Sequence, residues 1–167
     1  MALPVEPLEP VRRSVTVAVA PERAFAVFAG EIGRWWPLAR HSVGGERSLD
    51  VTIEPRQGGA IVERIEGGES ARWGTVLAWE PPHRLAFSWH PGKPGDGPVT
   101  DVEVLFAPDG AGGTRVDLAH RGWERLAAPL ESRTSYLNGW PAVMAAFAAH
   151  VGEGARAGAA AGAGATA

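Results

Sequence analysis

Apolar and polar residues alternate from Val11 to Val19, with Val11, Val15, Val17 and Val19 on one face and Ser14, Thr16 and Ala18 on the other. A period of two is that of a half-buried strand. The same period returns in Leu49 to Glu54, Gly59 to Ile65, Ala71 to Glu80, Arg84 to His90, Val99 to Ala107 and Thr114 to His120. Turn chemistry separates these runs: Pro55 to Gly58, Gly67-Gly68, Pro81-Pro82, Pro91 to Pro98 and Pro108 to Gly110. Consecutive strands joined by short turns predict an antiparallel meander, and the first run brings the strand count to seven.

The period changes in two places. After the first strand, Ala24, Phe25, Phe28 and Ile32 mark one face of a short helix that opens at Pro21-Glu22 and is interrupted at Gly30 and Gly33. Arg34 to Pro37 predicts one more helical turn. At the other end, Tyr136, Trp140, Val143, Met144, Phe147 and Val151 recur at helical spacing, with alanines filling the positions between. Pro141 removes a backbone donor and crowds the carbonyl of Leu137, so a kink is expected near Gly139 to Pro141. The expected fold class is α+β, a seven-stranded curved antiparallel sheet around a long C-terminal helix, with two short helices between strands 1 and 2. One domain is expected over residues 11–151, with a flexible N-terminus over 1–10 and a disordered Gly/Ala tail over 152–167.

A twisted sheet curls, and one helix cannot fill its whole concave face. The rest is either packed by large side chains or left as a cavity. The more apolar parity supplies the inward candidates: Trp73, Leu77 and Trp79; Leu85, Phe87 and Trp89; Val102, Val104 and Phe106; Val116, Leu118 and His120. A bulge in any strand would flip part of this set.

Composition narrows the function. The chain of 167 residues is 45% hydrophobic and 21% charged, with a net charge of −3, so it carries no basic footprint for nucleic acid or an anionic membrane. No apolar run approaches the ~20 residues of a membrane span, and the first residues lack a secretory pattern, so a cytoplasmic location is expected; a monomer is the separate expectation for its assembly. Without cysteine there is no thiolate nucleophile, disulfide or thiolate metal ligand. Seven tryptophans against one tyrosine suit either a generous core or a pocket for a flat ligand.

Several short motifs resemble a known group. They are Val15-Thr16-Val17 leading into Pro21 to Phe25, Trp35-Trp36-Pro37, Gly74-Thr75-Val76, Glu80 to Leu85 with Ser88-Trp89, Thr114-Arg115-Val116, His120 to Trp123 and Gly139-Trp140. In this order they resemble the START-like helix-grip (SRPBCC) superfamily, in its branch similar to the Hsp90 ATPase activator homologues. Val11 to Val17, Glu31 to Pro37 and Gly139-Trp140-Pro141 are further similar to the self-sacrifice resistance family of calicheamicin producers. That likeness implies an enediyne ligand whose diradical is quenched by hydrogen abstraction from the protein, with chain cleavage. The superfamily also hosts lipid carriers, polyketide cyclases and co-chaperones, so the fold alone does not select among them.

The residues themselves offer little catalytic chemistry. His41, His83, His90, His120 and His150 are scattered, no phosphate-cradling glycine loop is present, and no serine sits in a nucleophile elbow. No metal or cofactor is expected. His120 either points into the cavity or caps its strand and bonds backbone. Trp123, Tyr136 and Trp140 lie where helix-grip pockets open, and are either pocket wall or core. Of the adjacent Trp35 and Trp36, one is expected to pack and the other to line the mouth. Arg12, Arg13, Arg34 and Arg40 read as solvated. The candidate ligand-binding residues are Trp36, Phe87, Trp89, Phe106, His120, Trp123, Tyr136, Leu137, Trp140 and Met144.

Three functions remain. The first is non-enzymatic binding of an apolar, polycyclic small molecule, in its sharper form self-resistance to an enediyne-type product. The second is a polyketide cyclase or aromatase, for which only His120 and Tyr136 offer an acid–base pair. The third is a protein-interaction module of the Hsp90-activator kind.

Overall fold

The computed structural model describes residues 8–163, with side chains to Gly154. Seven strands form one antiparallel sheet in the order β1-β7-β6-β5-β4-β3-β2. They are β1 (Val11–Val17), β2 (Ser48–Ile53), β3 (Ala60–Ile65), β4 (Glu69–Glu80), β5 (Arg84–Trp89), β6 (Thr100–Pro108) and β7 (Thr114–Arg121). The meander runs from β2 to β7, and β1 closes beside β7 with Val15 opposite Val116. At the β3–β4 turn, Gly67 and Gly68 take φ +88 and +81, which a side chain disfavours. The helices α1 (Pro21–Gly30) and α2 (Ile32–Trp35) follow β1, and α3 (Pro129–Ala163) follows β7. This is the α+β arrangement that the hydrophobic pattern predicts, and the helix-grip order that the resemblance implies.

Amphipathic burial holds α3 in the curl of the sheet. Trp140, Val143, Met144, Phe147 and Val151 are buried, each worth roughly 1.5–3 kcal/mol of apolar transfer. Phe147 meets Phe28 of α1 and Trp35 of α2 edge-on, at 5.1 and 5.3 Å between ring centres. The short helices thereby pack against the middle of α3. Among the described residues, no helix is long and apolar enough to cross a membrane.

Three expectations are corrected here. The helix starts at Pro129 rather than Tyr136, and its span reaches Ala163, into the expected tail. The end of that expected tail, 164–167, lies outside the described residues, as do residues 1–7 of the expected flexible N-terminus. Residues 8–10 are docked, for Leu8 packs on the core and the Arg133 guanidinium donates to the Glu9 carbonyl at 2.7 Å.

The third correction is Leu77, which is exposed rather than inward. Bulges in β4 cause this. Trp73 is passed over in the pairing with β3, where Ile61 faces Gly74 and Val62 faces Arg72. Leu77 is passed over in the pairing with β5, where Val76 faces Phe87 and Ala78 faces Ala86. Each extra residue shifts the parity by one, so Val76 is buried between Trp73 and Trp79, and Leu77 is turned out.

Candidate functional site

Between the first turns of α3, the ends of the strands and the segment after α2 lies a cleft of about 570 Å³. Its walls come from separate parts of the chain. The segment after α2 gives Trp36, Arg40, His41, Ser42 and Val43; β5 and the loop beyond it give Trp89, Pro91 and Gly92; α3 gives Ser135, Tyr136, Gly139, Trp140 and Val143. On α3 the small Gly139 lets the cleft run close to the helix, with the His41 ring 3.7 Å from where a Cβ would stand.

The indoles of the wall form one contact cluster. Trp36 lies 5.8 Å from both Trp89 and Trp140, and 5.1 Å from Trp73 beneath, between ring centres. Their N–H groups are all committed inside the protein. Trp36 Nε1 donates to the His41 carbonyl at 2.7 Å, Trp89 Nε1 to the Tyr136 hydroxyl at 2.9 Å, and Trp140 Nε1 to His120 Nδ1 at 3.0 Å. Trp36, Trp89 and Trp140 are only 7%, 6% and 2% exposed, and what they show toward the cleft is ring surface with no free donor. Trp35 packs instead, its Nε1 shared by the carbonyls of Val27 and Phe28.

His120 is wholly buried one layer behind. Because Nδ1 accepts from Trp140, the ring proton sits on Nε2, which donates to Thr100 Oγ1 at 2.6 Å. That hydroxyl in turn donates a hydrogen bond to the Trp89 carbonyl at 3.3 Å. Burial pushes the imidazole pKa down to about 3, so the ring is neutral. Trp123 lies against it with ring centres 4.1 Å apart and donates to the His120 carbonyl. His120 is a structural joint with both nitrogens spent, not an acid or base facing a ligand.

The segment that closes the cleft is tied down by a buried carboxylate. Glu63 Oε1 accepts from the Val43 amide at 2.9 Å and from Trp73 Nε1 at 2.8 Å, while Oε2 accepts from the Gly44 amide at 2.8 Å. Burial alone would raise the Glu63 pKa, but these donors outweigh it and hold the carboxyl below its ordinary value. Across the opening, Val43 meets Gly92 at van der Waals distance from the position a Cβ would take.

The structure thus sorts the ten sequence candidates. Trp36, Trp89, Tyr136 and Trp140 stand on the cleft wall. His120 and Trp123 lie behind it, and Phe87 and Met144 are buried in the core beside it. Phe106 is set apart from the cleft, packed on Phe25 and Phe28 under α1. Leu137 is exposed, because the helical phase that puts Tyr136 and Trp140 on the wall turns position 137 outward. Sequence reasoning missed His41, Val43, Gly92, Ser135 and Gly139 on the wall and Glu63 behind it, while Arg40, read as solvated, is exposed at the rim. For Glu63 a signal existed: it shares strand parity with the buried Ile61 and Ile65. Among the described residues, no group of three or more His, Asp or Glu side chains could hold a metal ion.

A separate apolar recess of about 440 Å³ lies between α1 and the turns around Pro55 and Pro81-Pro82, and is walled by Trp79 and Phe25.

Among solved structures, the anthrahydroquino-γ-pyrone synthase Txn09 is 32% identical, with a TM-score of 0.56 over 88% of this chain and 99% of that one. CalU16 from Micromonospora echinospora is 19% identical, with a TM-score of 0.57 over 84% of this chain and 74% of that one. DynU16, from the dynemicin biosynthetic locus, is 17% identical with a TM-score of 0.66 over 89% of this chain, which spans 49% of DynU16. The latter two likenesses are of fold. A comparison with curated proteins finds no match. The family described as "Activator of Hsp90 ATPase homolog 1-like protein" matches residues 18–152, and the chain belongs to it.

Proposed function

We propose that the cleft binds a flat, polycyclic aromatic natural product against Trp36, Trp89 and Trp140. The observation that carries this reading is the wall itself: three clustered indoles whose N–H groups are all satisfied by protein acceptors, beside a space of about 570 Å³. Such a surface gains from stacking and apolar burial and discriminates by shape. In its sharper form the protein sequesters a toxic product of its host. For an enediyne ligand, the glycines whose α-hydrogens border the cleft are Gly92 and Gly139, and quenching there would be read out as chain cleavage at those positions.

A second reading is ring closure on an anthrahydroquinone-type substrate. It is supported by the 32% identity to a synthase of that class over 88% of the chain. The acid–base candidates then become Tyr136 and His41 on the wall, since His120 is spent.

Titration with a panel of anthraquinones and enediynes tests the shared claim. Binding should quench tryptophan emission and move the indole resonances of Trp36, Trp89 and Trp140 together, leaving that of Trp79 in place. A panel at high micromolar concentration that moves none of the three would sink the proposal. Turnover of a bound anthrahydroquinone selects the second reading, and backbone cleavage after reductive activation of an enediyne selects quenching.

A further inference from the structure

We propose that the Tyr136 hydroxyl is a dedicated donor for a carbonyl oxygen of the ligand, so that the cleft selects polycyclic aryl ketones and quinones over hydrocarbons of the same outline. This rests on the binding reading above and names its substrate class.

The inference begins from the donors on the aromatic wall. The indole N–H groups of Trp36, Trp89 and Trp140 are all taken by protein acceptors. Beside the His41 imidazole, Tyr136 is the remaining aromatic side chain of the wall with a polar hydrogen, and it is only partly buried, lining this cleft and the smaller recess next to it. Its oxygen already accepts the Trp89 N–H at 2.9 Å. Among the described residues, no protein group accepts the hydroxyl's own proton.

That arrangement has a chemical direction. A phenol can accept and donate, and here one acceptor site is filled by a fixed indole, which leaves the O–H as the group to be matched. A donor bonded at its oxygen by another N–H is also polarised, which strengthens the bond that it gives. Burial raises the Tyr136 pKa, and the Trp89 bond offsets only part of this, so the proton stays on the oxygen at neutral pH. A ligand hydroxyl could serve as partner only through its weaker lone pairs, and an ether or ring C–H would leave the donor unmatched. A quinone or aryl-ketone oxygen lies in the plane of the rings, so a polycycle lying against the indoles presents it edgewise to the tyrosine. An unmatched buried donor costs about 1–3 kcal/mol, and that penalty is what rejects the hydrocarbon.

The test uses two probes of equal outline and charge, anthraquinone-2-sulfonate and anthracene-2-sulfonate, with the full chain and with Tyr136→Phe. Their shared sulfonate cancels any attraction to Arg40 on the rim. The wild-type chain should bind the quinone about 5-fold or more tightly than the anthracene, and Tyr136→Phe should abolish that preference. The infrared carbonyl band of the bound quinone should lie at lower frequency in the wild type than in the variant, a readout that a merely structural role for Tyr136 would not move. Equal binding of the two probes by the wild type overturns this inference alone. A quinone preference or carbonyl shift that survives Tyr136→Phe overturns it as well. Failure of both probes to bind the wild type overturns the binding reading on which it stands.

Discussion

Acidification should destabilise this protein through one residue, His120. Its ring is wholly buried, accepts the Trp140 N–H on Nδ1 and donates from Nε2 to Thr100, an arrangement open only to the neutral form. A proton on Nδ1 would face the indole hydrogen and break the joint. Burial accordingly lowers the pKa from 6.5 to about 3. The unfolded chain takes up a proton near 6.5 and the folded chain does not until about 3, so stability present above 6.5 is lost as the pH falls through that window. The slope is about 1.4 kcal/mol per pH unit, or about 2 kcal/mol by about pH 5, out of a total of roughly 5–15. Glu54, Glu63 and Asp117 have lowered pKa values and lose their contributions only further down, as the pH drops below the ordinary carboxylate range. Urea melts at steps from about pH 7 to about pH 5 should show a falling midpoint with an unchanged m-value. The His120→Gln variant should show a flatter dependence, and nitrogen shifts of wild-type His120 should report the neutral Nε2–H tautomer throughout. An imidazolium signal from His120 at about pH 5, or equal slopes in wild type and variant, would refute the reasoning.

Two substitutions test the frame around the cleft. Glu63→Gln keeps the acceptor for Val43 and Trp73 but can set an NH₂ against the Gly44 amide; the loss should be about 2–4 kcal/mol, with faster amide exchange at Val43 and Gly44, and a neutral variant with unchanged exchange would remove Glu63 from this role. Gly74→Ala should lose more than about 3 kcal/mol in denaturant melts, because the added Cβ would fall 1.7 Å from the Ser88 carbonyl oxygen, and a melt within about 1 kcal/mol of wild type would contradict that contact.

The strands were legible because their parity and turn chemistry agree, and the register of β1 on β7 and of β5 on β6 follows that parity without a shift. Leu77 was misplaced because a bulge leaves no mark in an alternating pattern. The first turns of α3, Pro129 to Ser135, were missed because their exposed residues carry no apolar stripe. At the site, the wall residues with helical or strand periodicity, Trp89, Tyr136 and Trp140, could be named in advance. His41, Val43 and Gly92 could not, because loops have no period and their place is set by long-range contacts such as that of Glu63 with the Val43 amide. His120 pointed inward as its parity implied, yet its neighbours Thr100 and Trp140, which decide its chemistry, are each twenty residues away in sequence.

The chain of hydrogen bonds from Trp140 through His120 and Thr100 to the Trp89 carbonyl crosses from α3 to β7, β6 and the end of β5. Apolar contact between a helix and a sheet is non-directional and tolerates small rotations and slides of one on the other. A relay of buried donors and acceptors does not, since any other helix phase leaves an indole and an imidazole unmatched in an apolar interior. Trp89 and Trp140, which meet on the cleft wall with ring centres 5.9 Å apart, are therefore also braced against each other through the interior. Their separation is set before any guest arrives, so the site is preorganised and little side-chain entropy remains to be lost on binding. Cutting the relay at Thr100 would leave every wall residue in place and make the cleft adaptable, trading selectivity among ring systems for breadth.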